Sequence, residues 1–180
     1  MPRNRRHVER DEKVAAILDA GELRLRADGV AGFSVAALAR DLGLAGNAIY
    51  WYFPTRDDLL IATVEHLLHG IVARKPPGRG DLAARVLWFV EQLDALEHVR
   101  VGLSERARVS PVVADFLARL DDQGRSMLRN VLAGHVPQRD LGVAAQTLLA
   151  TIDGLRLHAL TRAERRRIVR YALARVTGPS

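Results

Sequence analysis

The side chain best suited to reading another molecule in this 180-residue chain is Asn47. An asparagine amide presents a donor beside an acceptor, the pattern that pairs bidentately with a base edge, most naturally adenine. Asn47 sits within Ala45-Gly46-Asn47-Ala48-Ile49-Tyr50-Trp51-Tyr52-Phe53. There Ala48 can meet a thymine methyl, and Tyr50 and Tyr52 carry polar tips on apolar bodies. Other chemistry is sparse. Asp57-Asp58 and Asp121-Asp122 are adjacent carboxylates, but neighbours on a helix point about 100° apart, so neither pair suits general acid/base work. His66 and His69 lie three apart without a third ligand placed nearby, and read as ordinary histidines rather than a metal pair. The chain has no cysteine, which excludes disulfides and thiolate metal sites. No glycine-rich phosphate loop and no GxSxG elbow is present. The expectation is therefore no catalytic residue, no metal and no cofactor: not an enzyme.

The elements that must hold Asn47 are legible around it. Ser34 suits an N-cap, and Phe33 with Leu38 has the spacing of a hydrophobic staple. Leu38, Ala39 and Leu42 form one apolar face. Gly43 follows where a left-handed residue stops a helix at little cost. A second helix is expected over Ala45–Trp51, with Ile49 and Phe53 turned back toward the first. Pro54 ends it, and Thr55-Arg56-Asp57-Asp58 reads as a capping box opening a third. Two short helices with a glycine in the turn are the helix-turn-helix, whose second member enters the major groove.

These residues also carry a resemblance. Gly32-Phe33-Ser34-Val35, Leu38-Ala39-Arg40-Asp41-Leu42-Gly43-Leu44, Ile49-Tyr50-Trp51-Tyr52-Phe53 and Arg56-Asp57-Asp58-Leu59-Leu60 together resemble the signature of the tetracycline-repressor (TetR) family. The match covers the N-terminal third. It implies an all-α regulator, dimeric, that binds a double-stranded DNA operator and is released by a small-molecule effector. It implies phosphate contacts for Tyr50 and Arg56. In that family a Ser or Thr often caps the reading helix and a Lys, Gln or Thr often faces the bases; here Ala45, Gly46 and Ala48 stand there. With few direct readers, specificity leans on DNA shape, on the N-terminal arm, or on Arg40. The DNA-binding set is Arg5, Arg6, Ser34, Arg40, Ala45, Gly46, Asn47, Ala48, Tyr50, Trp51, Tyr52 and Arg56.

Composition agrees with an anionic partner. The formal charge is +6, and because the only lysines are Lys13 and Lys75 the basicity is nearly all arginine. Met1–Arg6 reads either as a solvated tail or as an arm that tracks phosphates or enters the minor groove. Val8–Arg26 reads as a long helix broken at Asp28-Gly29. The segment 54–74 reads as a connecting helix between a DNA-binding domain, 1–53, and a ligand-binding and dimerisation domain, 75–180. Lys75–Gly80 is the clearest loop. Asp81 caps a helix, Glu97–Ala107 is a short one, and Ser110-Pro111 opens another running to about Ala133.

Leu141–Leu160 carries apolar residues around nearly its whole circumference, so a second buried side is expected at another subunit. Thr161–Glu164 is a capping box for the last helix. Leu148, Ile152, Leu155, Val169 and Leu173 are accordingly expected at a four-helix homodimer seam. Trp88, Phe89, Phe116 and Met127 are candidates to line an apolar effector pocket, with Glu91, His98, Arg106 and Asp153 as polar residues able to orient a ligand. The arginines at 165–167 and 170 read as a solvated face.

The expected protein is thus all-α: a three-helix DNA-binding head with a helix-turn-helix, plus a helical body, about nine helices in all. No secretory signal and no membrane span is read, so the expected location is cytoplasmic. Its expected function is a repressor released from a palindromic operator; the rival readings are a helical enzyme and a ligand-independent DNA-binding protein. The operator, the ligand and the regulated genes lie beyond the sequence.

Overall fold

The structure is a computed structural model that describes residues 2–74, 81–155, 157–158 and 160–178, with side chains from residue 8 onward. Every regular element among them is helical: α1 (Pro2–Gly32), α2 (Val35–Asp41), a 3₁₀ turn (Ile49–Trp51), α3 (Arg56–Ala73), α4 (Leu82–Asp94), α5 (Glu97–Ala107), α6 (Pro111–Leu132), α7 (Leu141–Leu155) and α8 (Arg162–Thr177). The expected all-α class and the order of elements hold. The Lys75–Gly80 loop lies outside the described residues, as do the side chains of Arg5 and Arg6.

Contacts divide the chain into two units, 1–75 with 96–117, and 76–95 with 118–180. In the first, α1 packs on α2, α3 and α5. The α1–α3 crossing is close at Gly21, where a β-carbon would stand 2.8 Å from Thr63 Oγ1. The α1–α5 crossing is closer still: a β-carbon on Gly102 would stand 2.7 Å from Val30 Cβ. Ile17, Leu25, Leu38, Ile49, Leu59, Leu60 and Leu67 are each at most 1% exposed. α1 is longer than expected, beginning at Pro2 rather than Val8. It is interrupted where a break was expected, at Gly29 (φ 65°, ψ −170°), a left-handed value that glycine tolerates best.

The sequence pattern divides the chain at 53 and 74; contacts draw α5 and the start of α6 into the N-terminal unit as well. The reason is the small residue at the α1–α5 crossing. Gly102 lets α5 lie against Val30, and no periodicity within α5 announces a partner 72 positions away.

The second unit is built from α4, the latter part of α6, α7 and α8. Its core joins Val86, Leu87, Val90, Leu132, Leu141, Ala144, Ala145, Leu148, Ile152, Leu155, Val169 and Leu173. α8 lies against both α7 and α4. Ion pairs stitch the rim: Arg162 and Arg166 both reach Glu91, at 2.6 and 2.9 Å, and Arg165 reaches Asp94 at 2.9 Å. The Arg162 guanidinium holds the Glu91 carboxyl below its usual range. So Glu91, considered above as a ligand-orienting group, is already occupied inside the fold.

This core corrects one expectation. Leu148, Ile152, Leu155, Val169 and Leu173, assigned to a dimer seam, are at most 7% exposed within a single chain. Their apolar area is already removed from water, so little remains to drive association. The apolar count on α7 misled because Val143 is 72% exposed while Gly142, Gln146, Thr147 and Ala150 share the outward side with it. α7 is helical over Leu141–Leu155, and the described residues 157, 158 and 160 of the stretch expected to be helical are not.

Candidate nucleic-acid interface

The segment from Ser34 to Asp58 is built by local rules. Ser34 Oγ accepts from the Ala37 amide at 3.4 Å, the expected N-cap. At the other end of α2, Gly43 has φ 63°. The Leu44 amide donates to Ala39 O at 2.8 Å and the Gly43 amide to Arg40 O at 3.1 Å, the paired bonds of a Schellman stop. α2 is tied to α1 by Arg24, whose Nε donates to Asp41 at 2.6 Å. That hydrogen bond holds the Asp41 carboxyl below its ordinary range.

The reading element itself differs from expectation. Ala45–Trp51 is not an α-helix. A turn over 46–48 runs into the 3₁₀ segment Ile49–Trp51. Its amides bond three residues back: Ala48 to Ala45 O, Tyr50 to Asn47 O, Trp51 to Ala48 O and Tyr52 to Ile49 O, at 2.9 to 3.4 Å. The physical cause is in the sequence. No side chain caps the segment, and Gly46 adds about 1 kcal/mol of helix-opposing propensity. A stretch this short cannot offset a poor nucleus.

What fixes the turn is burial beneath it. Ile49 is 0% exposed and Phe53 9%, and the Phe53 amide closes on Ile49 O at 3.0 Å. That leaves a ridge facing outward. Ala45, Gly46, Asn47 and Tyr50 are exposed and Ala48 and Tyr52 half-buried. Trp51 is 83% exposed, an unusual position for the largest apolar side chain in a folded protein. Arg40 is exposed at the end of α2 and Ser34 half-buried at its start. Their outward placement follows from the spacing, because Ile49 and Phe53 as the inward pair leave the others to face out.

Arg56 is placed otherwise. Its Nε donates to Phe33 O at 3.0 Å and its Nη2 to Val30 O at 2.7 Å. It thus ties the start of α3 to the α1–α2 junction, a structural role beside the phosphate contact expected of it. Next to it, Asp57 is 7% exposed and accepts from Arg106 and Ser110. Arg106 was read from sequence as a ligand-orienting residue; it is a partner of Asp57 instead. Nothing in the local pattern marks that pairing across 49 positions.

Residues 17–63 match the sequence profile described as bacterial regulatory proteins of the tetR family. Residues 82–178 match that of the BetI-type transcriptional repressor, C-terminal region. The chain belongs to the TetR family. A helix-turn-helix-type transcriptional regulator of Mycobacterium tuberculosis is 39% identical over 56 residues, 31% of this chain. The matched stretch spans 24% of that relative's length. Among solved structures, a TetR-family transcriptional regulator from a Rhodococcus species superposes with TM-score 0.73 at 20% identity, covering 93% of this chain and 100% of that one. A transcriptional regulator from Saccharomonospora viridis in complex with choline gives TM-score 0.66 at 18% identity, covering 89% and 95%. These likenesses show a TetR-type fold. The named relatives are transcriptional regulators rather than enzymes, and DNA binding by the helix-turn-helix of this TetR-family chain is implied.

The remaining candidates are scattered. Trp88 and Phe89 are half-buried on α4, edge to face with centroids 4.9 Å apart. Phe116 is 1% exposed in the first unit, and Met127 is half-buried in the second. His98 Nε2 bonds Arg26 O at 3.2 Å. His66 Nε2 lies 2.8 Å from Asp19, so it pairs α3 with α1. No group of three or more potential metal ligands occurs among the described residues. No described helix is long and apolar enough to cross a membrane.

Proposed function

We propose that this TetR-family chain is a homodimeric repressor whose two reading turns grip an inverted-repeat operator, and whose grip a small molecule loosens. The observation that carries the reading is the outward ridge of Asn47, Tyr50 and Trp51 above buried Ile49 and Phe53. Asn47 is the base reader; Ala48 meets a thymine methyl; Tyr50, Tyr52, Ser34 and Arg40 contact the backbone and set register. Ala45 and Gly46 keep the turn slim, so its backbone can come close to the duplex. Arg5 and Arg6 supply further phosphate contacts.

The seam moves to the outward face of α7. Gly142, Val143, Gln146, Thr147, Ala150 and Thr151 form a shallow, open patch of mostly small side chains there. Small side chains at this spacing allow a second helix to approach closely. Two-fold pairing would present two reading turns about 34–36 Å apart, or a multiple, to successive major grooves. Effector action is a population shift: the ligand must bind unequally to the states that fit and do not fit the operator. Aromatic residues such as Trp88 suit a cationic ligand, and the choline complex of a fold neighbour makes choline the first compound to try.

Selection of bound duplexes from random DNA tests the reading. The expected product is an inverted repeat, bound with an affinity that falls steeply with salt. Recovery of no enriched sequence, with binding indifferent to salt, would overturn it. Recovery of an inverted repeat followed by no effector response would remove only the ligand-release part.

A further inference from the structure

Two consecutive residues at the start of α3 reach in different directions. Arg56 holds the carbonyls of Val30 and Phe33. Asp57 receives the α5–α6 corner: Arg106 Nε donates to Oδ1 at 2.9 Å and Oδ2 at 3.2 Å, Arg106 Nη2 to Oδ2 at 2.8 Å, and Ser110 Oγ to Oδ2 at 2.7 Å. Ser110 is itself 6% exposed and immediately precedes α6. All of these residues belong to one compact unit.

Stability of α3 does not require this arrangement. The helix start is already closed by a complete capping box, Thr55 with Asp58, and a carboxylate in the first turn favours the macrodipole equally well in solvent. Burying Asp57 carries a desolvation cost that the pair must first offset. What the arrangement adds is geometry. A guanidinium forked across both oxygens fixes orientation as well as distance, which a single point charge would not. The path from Asp57 back to the reading ridge has little slack. Thr55 is locked in its box, Phe53 is buried, and the Phe53 amide is bonded to Ile49 O.

We propose that the Asp57–Arg106–Ser110 cluster is the positioning device through which the α5–α6 corner sets the pose of the reading turn. Arg106 and Ser110 touch no base or phosphate; they act through Asp57 on the residues that do. The proposal rests on the DNA-reading role given above and assigns to that role two residues from a part of the chain outside the helix-turn-helix. A displacement of the corner rotates the first turn of α3, and Trp51 and Asn47 with it.

The test uses the full chain and the duplex that wild type selects. Arg106→Met is expected to keep the helical circular dichroism of wild type yet bind that duplex about tenfold more weakly, a coupling typical of separate sites. Amides 48–53 are expected to exchange hydrogen faster in it. Arg106→Lys keeps the charge but loses the fork, and should fall between the two. Ser110→Ala should show a smaller loss of the same kind. A folded Arg106→Met with wild-type affinity and wild-type exchange at 48–53 overturns the proposal. If Arg106→Met does not fold, Arg106→Lys and Ser110→Ala decide it, and wild-type values in both overturn it. If wild type itself selects no duplex, the DNA-reading role fails instead. The exchange at 48–53 in Arg106→Lys then still decides whether the corner governs that turn.

Discussion

Gly102→Ala offers a stringent check on the packing of the N-terminal unit. Placed in an open helix, this substitution stabilises by roughly 0.5–1 kcal/mol, because alanine loses less backbone freedom on folding. At Gly102 the new β-carbon would stand 2.7 Å from Val30 Cβ, 3.0 Å from Val30 Cγ2 and 3.6 Å from the Val30 amide nitrogen. Carbon atoms rest about 3.5–4.0 Å apart, so α5 must retreat from α1 by close to 1 Å. The obstacle is the root of a β-branched side chain, which no rotamer change can move aside. Overpacking of this kind costs about 1–3 kcal/mol. The net effect is a destabilisation of about 1–2 kcal/mol, or a fall in melting temperature of about 2–8 °C for a chain of this size. Gly70→Ala in α3 is the internal control, since nothing lies within 4 Å of its would-be β-carbon; it should raise stability by roughly 0.5–1 kcal/mol. Thermal and urea unfolding followed by circular dichroism read both. If the two substitutions shift the midpoint in the same direction by the same amount, the close approach of α5 to α1 is wrong, and with it the inclusion of α5 in that unit.

Four further outcomes follow from particular residues. Hydrogen bonding to Arg106 lowers the Asp57 pKa, so its stabilisation is present above the unfolded value of about 3.9 and is lost as pH falls through the folded one. Asp57→Asn should flatten the decline of unfolding midpoint on acidification, and an unchanged acid limb would contradict the pairing. Arg56→Met leaves two carbonyls without their charged donor and should cost about 1–3 kcal/mol in urea unfolding; wild-type stability with a salt slope of DNA binding reduced by about one would leave Arg56 only its phosphate role. Leu148→Ala should cost about 2–5 kcal/mol as a core truncation. By contrast, Val143→Asp should leave stability within about 0.5 kcal/mol while abolishing self-association in sedimentation; a Val143→Asp protein that still self-associates like wild type would remove the seam from that face.

The sequence by itself determined whatever is decided within a few residues. Ser34, Thr55, Asp81 and Thr161 cap where their hydroxyls and carboxylates lie beside unpaired amides, and Gly43 stops α2 because only its own backbone must turn left-handed. The inward pair Ile49 and Phe53 was legible from spacing, and so was the ridge they leave outside. Even the 3₁₀ form of Ile49–Trp51 was latent in the missing cap and Gly46, although the expectation of an α-helix took the usual pattern over the local chemistry.

Only the tertiary structure decided which partners distant residues find. Arg106 and Glu91 could have oriented a ligand; each instead meets an opposite charge brought from far along the chain, and Arg56 meets carbonyls in the same way. It likewise decided which side of α7 is inside, because an apolar residue carries no label saying whether its own chain or a second copy will cover it. Capping and turning are settled by groups within covalent reach. Burial and ion pairing are settled by whichever surface arrives, and that depends on how all the helices cross.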